Sequence, residues 1–134
     1  MSALLNQMDP YQATLVLPFI SLGGWCLVHP SSVESLCVVP EEQHQSPLTS
    51  VLIRCFGSQA VLGGLTIATM QPTSNFYAAF GAAIVPFFAF NVWGLTNSKL
   101  FTKFLWLDVV GNVILAAAAY KGYTSLREPT IKAL

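Results

Sequence analysis

Five polar side chains interrupt stretches of the sequence that are otherwise apolar, and their types could do chemistry together. They are Arg54, Gln59, Asn91, Asp108 and Asn112. A carboxylate such as Asp108 accepts protons or pairs with cations, whereas a guanidinium such as Arg54 binds anions. Asp108 and Asn112 are four residues apart, so on a helix they lie one turn apart on the same face. We therefore treat these five residues as candidates for a site between helices.

The composition indicates the environment that surrounds these residues. Of 134 residues, 54% are hydrophobic and only 9% are charged, with 6 Lys and Arg against 6 Asp and Glu, and the mean hydropathy is +0.59. A soluble domain carries about 25% charged residues. The chain is therefore not expected to be a charged disordered tail, a nucleic-acid binder or an ordinary soluble enzyme domain. Its length accommodates about four membrane spans of roughly 20 residues each.

Four apolar stretches predict an all-α, four-helix transmembrane bundle that forms a single domain over residues 1–134. We place the spans at residues 11–28, 48–70, 76–95 and 100–120. The segment 29–47 is rich in proline and glutamate, which predicts a polar, irregular loop, and 121–134 is predicted to be a polar tail. The link between the second and third spans is a short turn, which makes these two spans an antiparallel hairpin.

Tyrosine and tryptophan test this threading because both prefer the membrane interfaces. With four spans, the tyrosines fall at one end of the bundle and the tryptophans at the opposite end, which are called here the tyrosine end and the tryptophan end. The residues concerned are Tyr11, Tyr77, Tyr120 and Tyr123 at the first, and Trp25, Trp93 and Trp106 at the second. Three or five spans would scatter them.

Arg54 and Asp108 are predicted to lie at the same depth in the bundle. Arg54 is about six residues into the second span and Asp108 about seven or eight into the fourth, so each lies about 9–12 Å from its helix start at 1.5 Å per residue. Both of these spans start at the tryptophan end. A lone charge near the centre of a span costs about 2.5–3.5 kcal/mol, and pairing the two residues would offset much of that cost.

Two interpretations of the five polar residues remain open. In the first, they line a pocket that opens to the tryptophan end, with Asp108 as proton acceptor or cation partner and Arg54 as anion contact. In the second, Arg54 and Asp108 form a salt bridge, supported by amide hydrogen bonds, that fixes helix register. Hydrogen bonds of this kind between membrane helices contribute about 0.6 kcal/mol each.

Cysteine and histidine residues near the first loop raise the question of a metal site. The residues concerned are Cys26, His29, Cys37, His44 and Cys55. Only Cys26 and His29 have a ligand-like spacing, and no second paired element accompanies them. The sequence also lacks a paired dithiol and a phosphate-binding glycine loop. We therefore predict no metal and no cofactor.

The start of the second span resembles a known group of proteins. It reads Ile53-Arg54-Cys55-Phe56-Gly57-Ser58-Gln59-Ala60, followed by Leu62-Gly63-Gly64-Leu65. This Arg-x-Phe-Gly step with a glycine-rich continuation resembles small four-helix membrane proteins of the DoxX-like and unknown-function type. It is also similar to the ergosterol-biosynthesis scaffold family of the endoplasmic reticulum. The resemblance implies a compact integral-membrane bundle, usually without a demonstrated activity, in the endoplasmic reticulum or another organelle membrane.

Two functional hypotheses follow from the sequence. The first is a non-enzymatic scaffold or accessory subunit that binds membrane lipids or partner membrane proteins within the bilayer, and no nucleic acid. The alternative is a small membrane enzyme or transporter that acts on an apolar substrate in a pocket lined by Arg54 and Asp108. A channel ranks third, because one four-helix protomer does not easily enclose a pore.

Overall fold

The computed structural model describes residues 8–44, 46–97 and 99–132. Within these ranges the chain forms five α-helices and one 3-10 turn, Pro40–Glu42. The helices are α1 (Pro10–Val28), α2 (Pro30–Cys37), α3 (Pro47–Thr69), α4 (Ser74–Thr96) and α5 (Leu105–Lys132). All but α2 are long and apolar enough to cross a membrane. The predicted class, an all-α bundle with four helices of membrane-spanning length, is confirmed.

The segment 29–47 is not irregular as predicted, because it contains α2 and the 3-10 turn. Pro30 and Pro40 each occupy the beginning of a helical segment, where the missing N–H of proline is no loss and its fixed φ suits a helix. Within this segment the buried Glu34 accepts a hydrogen bond from the backbone N–H of His44 at 2.8 Å. The prolines therefore start helices here instead of excluding them.

The fourth span begins and ends later than predicted. Residues 100–104 lie outside the helix, because the chain at Phe101 forms an antiparallel bridge with Val38. The Leu100 carbonyl also accepts a hydrogen bond from the Val39 N–H at 3.1 Å. At the other end, the helix continues through residues 121–132, where a polar tail was predicted. Gly122 supports this extension, because it packs directly against the ring of Tyr77.

The helices pack as two pairs. α1 lies against α3 and α4 lies against α5, while a contact between α1 and α5 joins the pairs. Glycine permits the closest approach in the first pair: a Cβ at Gly57 would lie 2.6 Å from the Gly23 carbonyl oxygen. Such small-residue contacts let membrane helices approach closely in lipid. α3 and α4 are joined by the predicted short turn, but each packs mainly on another helix.

Hydrogen bonds at the tyrosine end tie α1 to its neighbours. Asp9 caps α1 by accepting from the backbone N–H groups of Tyr11 and Gln12, both at 2.9 Å. The same carboxylate accepts from the Tyr77 hydroxyl of α4 at 2.9 and 3.0 Å. The amide of Gln12 donates to the carbonyls of Ile67 and Met70, at the end of α3, at 2.7 and 2.9 Å. These residues, the tyrosine-end cluster, satisfy polar groups that lipid could not.

The hydrophobic core occupies the same half of the bundle. Its buried members are Leu15, Val16, Ile67, Tyr77, Ile84, Leu115, Ala118 and Ala119. They come from the first halves of α1 and α4, the second half of α3 and the middle of α5. The buried apolar cluster therefore does not extend to the tryptophan end.

The Gly57–Gly23 contact predicts a selective effect of adding one methyl group. Gly57→Ala is expected to destabilise the protein by about 1–3 kcal/mol, because backbone atoms of α1 would have to move. Unfolding in detergent micelles, followed by circular dichroism, measures the change. The matched control is Gly24→Ala, since a Cβ at Gly24 meets nothing within 4 Å and alanine favours helix by up to about 1 kcal/mol. Equal stability of the two variants would contradict the close packing of α1 on α3.

Candidate functional site

Three of the candidate residues form one hydrogen-bonded network between α4 and α5. The side-chain amides of Asn91 and Asn112 both donate to Oδ2 of Asp108, at 2.5 and 3.1 Å. Asn112 also donates to Oδ1 of Asn91 at 2.9 Å, which closes the ring. The two asparagines are only 2% and 6% exposed, whereas Asp108 is exposed. The buried amides thus hold a carboxylate at the surface of the helix pair.

The local structure explains why Asp108 is held there. Asp108 lies in the first turn of α5, where free N–H groups and the helix dipole stabilise a negative charge. Asn112 is one turn further along the same face, and Asn91 faces both from α4. Among the described residues, Oδ2 of Asp108 accepts both of the hydrogen bonds that the asparagine amides donate to this carboxylate. Oδ1 therefore remains available to a ligand.

The carboxylate borders an apolar cleft between α3 and α4. Two cavities of about 520 and 300 Å³ meet there, and both are lined by Phe56, Phe87 and Asp108. The larger is completed by Cys37, Pro86, Phe90, Phe101, Phe104 and Leu105. The smaller is completed by Pro18, Phe19, Leu22, Gly23, Gln59, Ala60, Asn112 and Leu115. We call the two cavities together the α3–α4 cleft.

The cleft is bordered by two loops at the tryptophan end and is open at its side. The two loops at that end are paired: the Thr102 N–H donates to the Cys37 carbonyl at 3.0 Å, and its hydroxyl donates to the Leu36 carbonyl. Phe56 and Phe87, by contrast, are 60% and 48% exposed. A pocket opening to the tryptophan end stays a prediction, because Phe104 in the paired loops is also 48% exposed. The side opening faces the surface that lipid would surround.

Asp108 lies at a different place in its helix from the one predicted. It is the fourth residue of α5, not the seventh or eighth of a span, because residues 100–104 belong to the paired loop. Asp108 lies at the depth of Asn91, to which it is hydrogen-bonded. Asn91 is five residues, or about 8 Å along the helix axis, before the end of α4 at Thr96. The first turn of α5 therefore lies deeper in the bundle than the last residue of α4.

Arg54 and Gln59 are separated by the rotation of α3. Gln59 lines the smaller cavity together with Asp108 and Asn112. Arg54 precedes Phe56 by two residues, which is about 200° of helix rotation, so it faces away from the cleft. Its carbonyl accepts from the Ser58 hydroxyl at 2.9 Å. Among the described residues, the hydrogen-bond partners of Asp108 are the two asparagines and not Arg54.

Sequence reasoning missed the aromatic wall of the cleft. Its phenylalanines are Phe56, Phe87, Phe90, Phe101 and Phe104. Phe101 packs edge-on against Phe90 and Trp93, with ring centroids 5.7 and 5.9 Å apart. The spacing of three between Phe87 and Phe90 was a signal for one wall, because residues three apart share a helix face. The loop residue Phe101 had no such signal, since only the pairing with Val38 places it there.

The described residues contain no group of three or more His, Cys, Asp and Glu side chains able to hold a metal ion. Cys26, Cys37 and Cys55 are free thiols, of which Cys26 is buried. Of the three, Cys37 lines the cleft. Burial raises the pKa of the Cys37 thiol above its usual value, and the nearby Cys26 and Asp108 raise it further.

In comparisons with known proteins, no family model, no curated protein and no solved structure matches this chain. The similarity of the second span to DoxX-like and sterol-scaffold proteins stays a prediction.

The pKa of Cys37 provides a chemical test of the position of Asp108. The thiolate is the reactive form, so a raised pKa slows alkylation below that pKa, and removal of a nearby negative charge speeds it. In a Cys55→Ser background, Asp108→Asn is expected to increase the rate of Cys37 alkylation by N-ethylmaleimide at pH 7 modestly, because Asp108 is the smallest of the three causes of the raised pKa. Mass spectrometry of the alkylated chain measures the rate. Glu42→Gln, which removes an exposed loop carboxylate, is the control, and equal rates in both variants would place Asp108 away from Cys37.

Proposed function

We propose that this chain is a non-enzymatic integral membrane protein that binds a membrane lipid in the α3–α4 cleft. The observation that carries the proposal is the single carboxylate of Asp108 at the junction of two aromatic-lined cavities that open sideways. Membrane lipids are its proposed partners. A bound lipid enters from the bilayer between α3 and α4, without passing through water.

The size and lining of the cleft support a ligand site. Pockets that bind small molecules have volumes of about 300–1,000 Å³ and apolar walls with few polar groups. The two cavities, about 520 and 300 Å³, lie within that range. Aromatic side chains provide most of the wall of the larger cavity. An alkyl chain fits such a surface without leaving polar groups unpaired.

The chemistry near Asp108 favours binding over catalysis. Its neighbours Asn91 and Asn112 are amides, which form hydrogen bonds but do not act as acids or bases at neutral pH. Arg54, the second charged residue of the predicted pocket, faces away from the cleft. Cys37 is a nucleophile that lines the larger cavity together with Asp108. Its raised pKa disfavours the reactive thiolate form. The alternative of an enzyme or transporter that uses Arg54 with Asp108 therefore has less support.

A scaffold or accessory-subunit role is compatible with the same site. The outer faces of α3 and α4 expose large apolar side chains such as Leu62, Val85 and Val92. Lipid tails cover such faces as well as a partner helix would. A stable protein partner would thus have to be found by co-purification, which the experiment below includes.

Native mass spectrometry of the protein released from nanodiscs tests the proposed lipid binding. The wild-type protein is expected to keep one bound lipid per chain after the bulk bilayer lipid has been removed. Gln59→Trp should reduce retention strongly, because the indole would fill the smaller cavity that Gln59 lines. Leu62→Trp, on an exposed position of α3 outside the lining, should leave retention unchanged. Absence of any retained lipid would contradict the proposal, and a retained protein instead would favour the accessory-subunit role.

A further inference from the structure

We propose that the α3–α4 cleft selects a long-chain primary amine, whose ammonium group binds Asp108 while its alkyl chain lies along the aromatic wall. The inference rests on the proposed lipid binding and names the class of lipid. It follows from the charge of the cleft, the geometry of the carboxylate and the nature of the walls.

The charge of the cleft is unbalanced. Asp108 is the carboxylate of both cavities, and neither lining contains lysine or arginine. Lys103 lines a third cavity, which shares Phe101 and Leu105 with the larger one but does not include Asp108. Ionisable groups inside membrane proteins are normally paired, because hydrocarbon does not solvate a charge. A cationic ligand would supply the partner that the described lining residues do not.

The carboxylate is oriented for such a ligand. Asn91 and Asn112 occupy Oδ2 and prevent free rotation, so Oδ1 keeps a fixed direction. A primary ammonium has three N–H donors and is compact, and charge-assisted hydrogen bonds are stronger than neutral ones. The rings of Phe56 and Phe87 border the same junction. Aromatic faces attract ammonium groups, most strongly where water is excluded.

Other lipid headgroups match the cleft less well. A fatty acid would place a second negative charge beside Asp108. A long-chain alcohol could donate one hydrogen bond, but it would leave the carboxylate without a counter-charge. A phospholipid such as phosphatidylethanolamine carries the ammonium together with a phosphate, and the described lining offers no basic side chain to hold that phosphate. A primary ammonium without a phosphate is the headgroup that fits the cleft.

Paired ligands of equal chain length test the selection. Hexadecylamine and hexadecanol are added in turn to the wild-type protein in phosphatidylcholine nanodiscs, and native mass spectrometry gives the bound fraction of each. Both ligands would hydrogen-bond to the carboxylate, but only the ammonium adds charge–charge attraction, so we expect the amine to bind about tenfold more tightly than the alcohol. Asp108→Asn should bring the two affinities close together. Glu42→Gln, which changes an exposed carboxylate outside the cleft, should keep the wild-type preference.

The outcomes separate this inference from the proposed function. If neither ligand nor any other lipid binds the wild-type protein, the proposed function fails. If both ligands bind wild type equally, or phosphatidylethanolamine displaces the amine, lipid binding stands and the selection of a long-chain amine is overturned. The wild-type ratio of amine to alcohol decides even if Asp108→Asn does not fold, because it requires no variant.

Discussion

The hydrogen bonds of Asp9 and Gln12 hold together helices that lipid alone would not. In a bilayer the tails are as apolar as leucine, so association depends on close contact and on polar groups that find partners. At the tyrosine end, the α1 segment supplies an acceptor and a donor. The Asp9 carboxylate at its N-cap accepts from the Tyr77 hydroxyl of α4, and the Gln12 amide donates to carbonyls at the end of α3. The buried core surrounds these contacts. The position of α1 relative to α3 and α4 is thus determined at one end of the bundle.

The other end depends on two separate pairings. Gly23 and Gly57 bring α1 and α3 into backbone contact, while the ring of Asn91, Asp108 and Asn112 joins α4 to α5. Each pair is tightly held, but nothing comparable joins α3 to α4 among the described residues. The cleft is the space left between the two pairs, and the paired loops at Val38 and Phe101 border its end.

The sequence predicted the class and the number of long helices because apolar length is a direct reflection of bilayer thickness. It also singled out Asn91, Asp108 and Asn112, since polar residues stand out in apolar stretches. It placed Asp108 seven or eight residues into the fourth span because it counted from a helix start that the Val38–Phe101 bridge displaces, and it left the pairing of Asp108 with Arg54 open. Helix rotation and loop pairing depend on tertiary contacts that periodicity does not contain. Tyr77, assigned to an interface, is 1% exposed because Gly122 leaves room for its ring.

The sideways opening of the cleft determines how its occupancy depends on concentration. Under the proposed lipid binding, a molecule that reaches Asp108 past Phe56 and Phe87 would come from the surrounding bilayer. The relevant quantity is then its mole fraction among the membrane lipids, and not its concentration in the aqueous phase. A sparingly soluble compound can saturate the site while scarcely any is dissolved in water. Occupancy would follow changes in the lipid composition of the host membrane, so the bilayer acts as the reservoir.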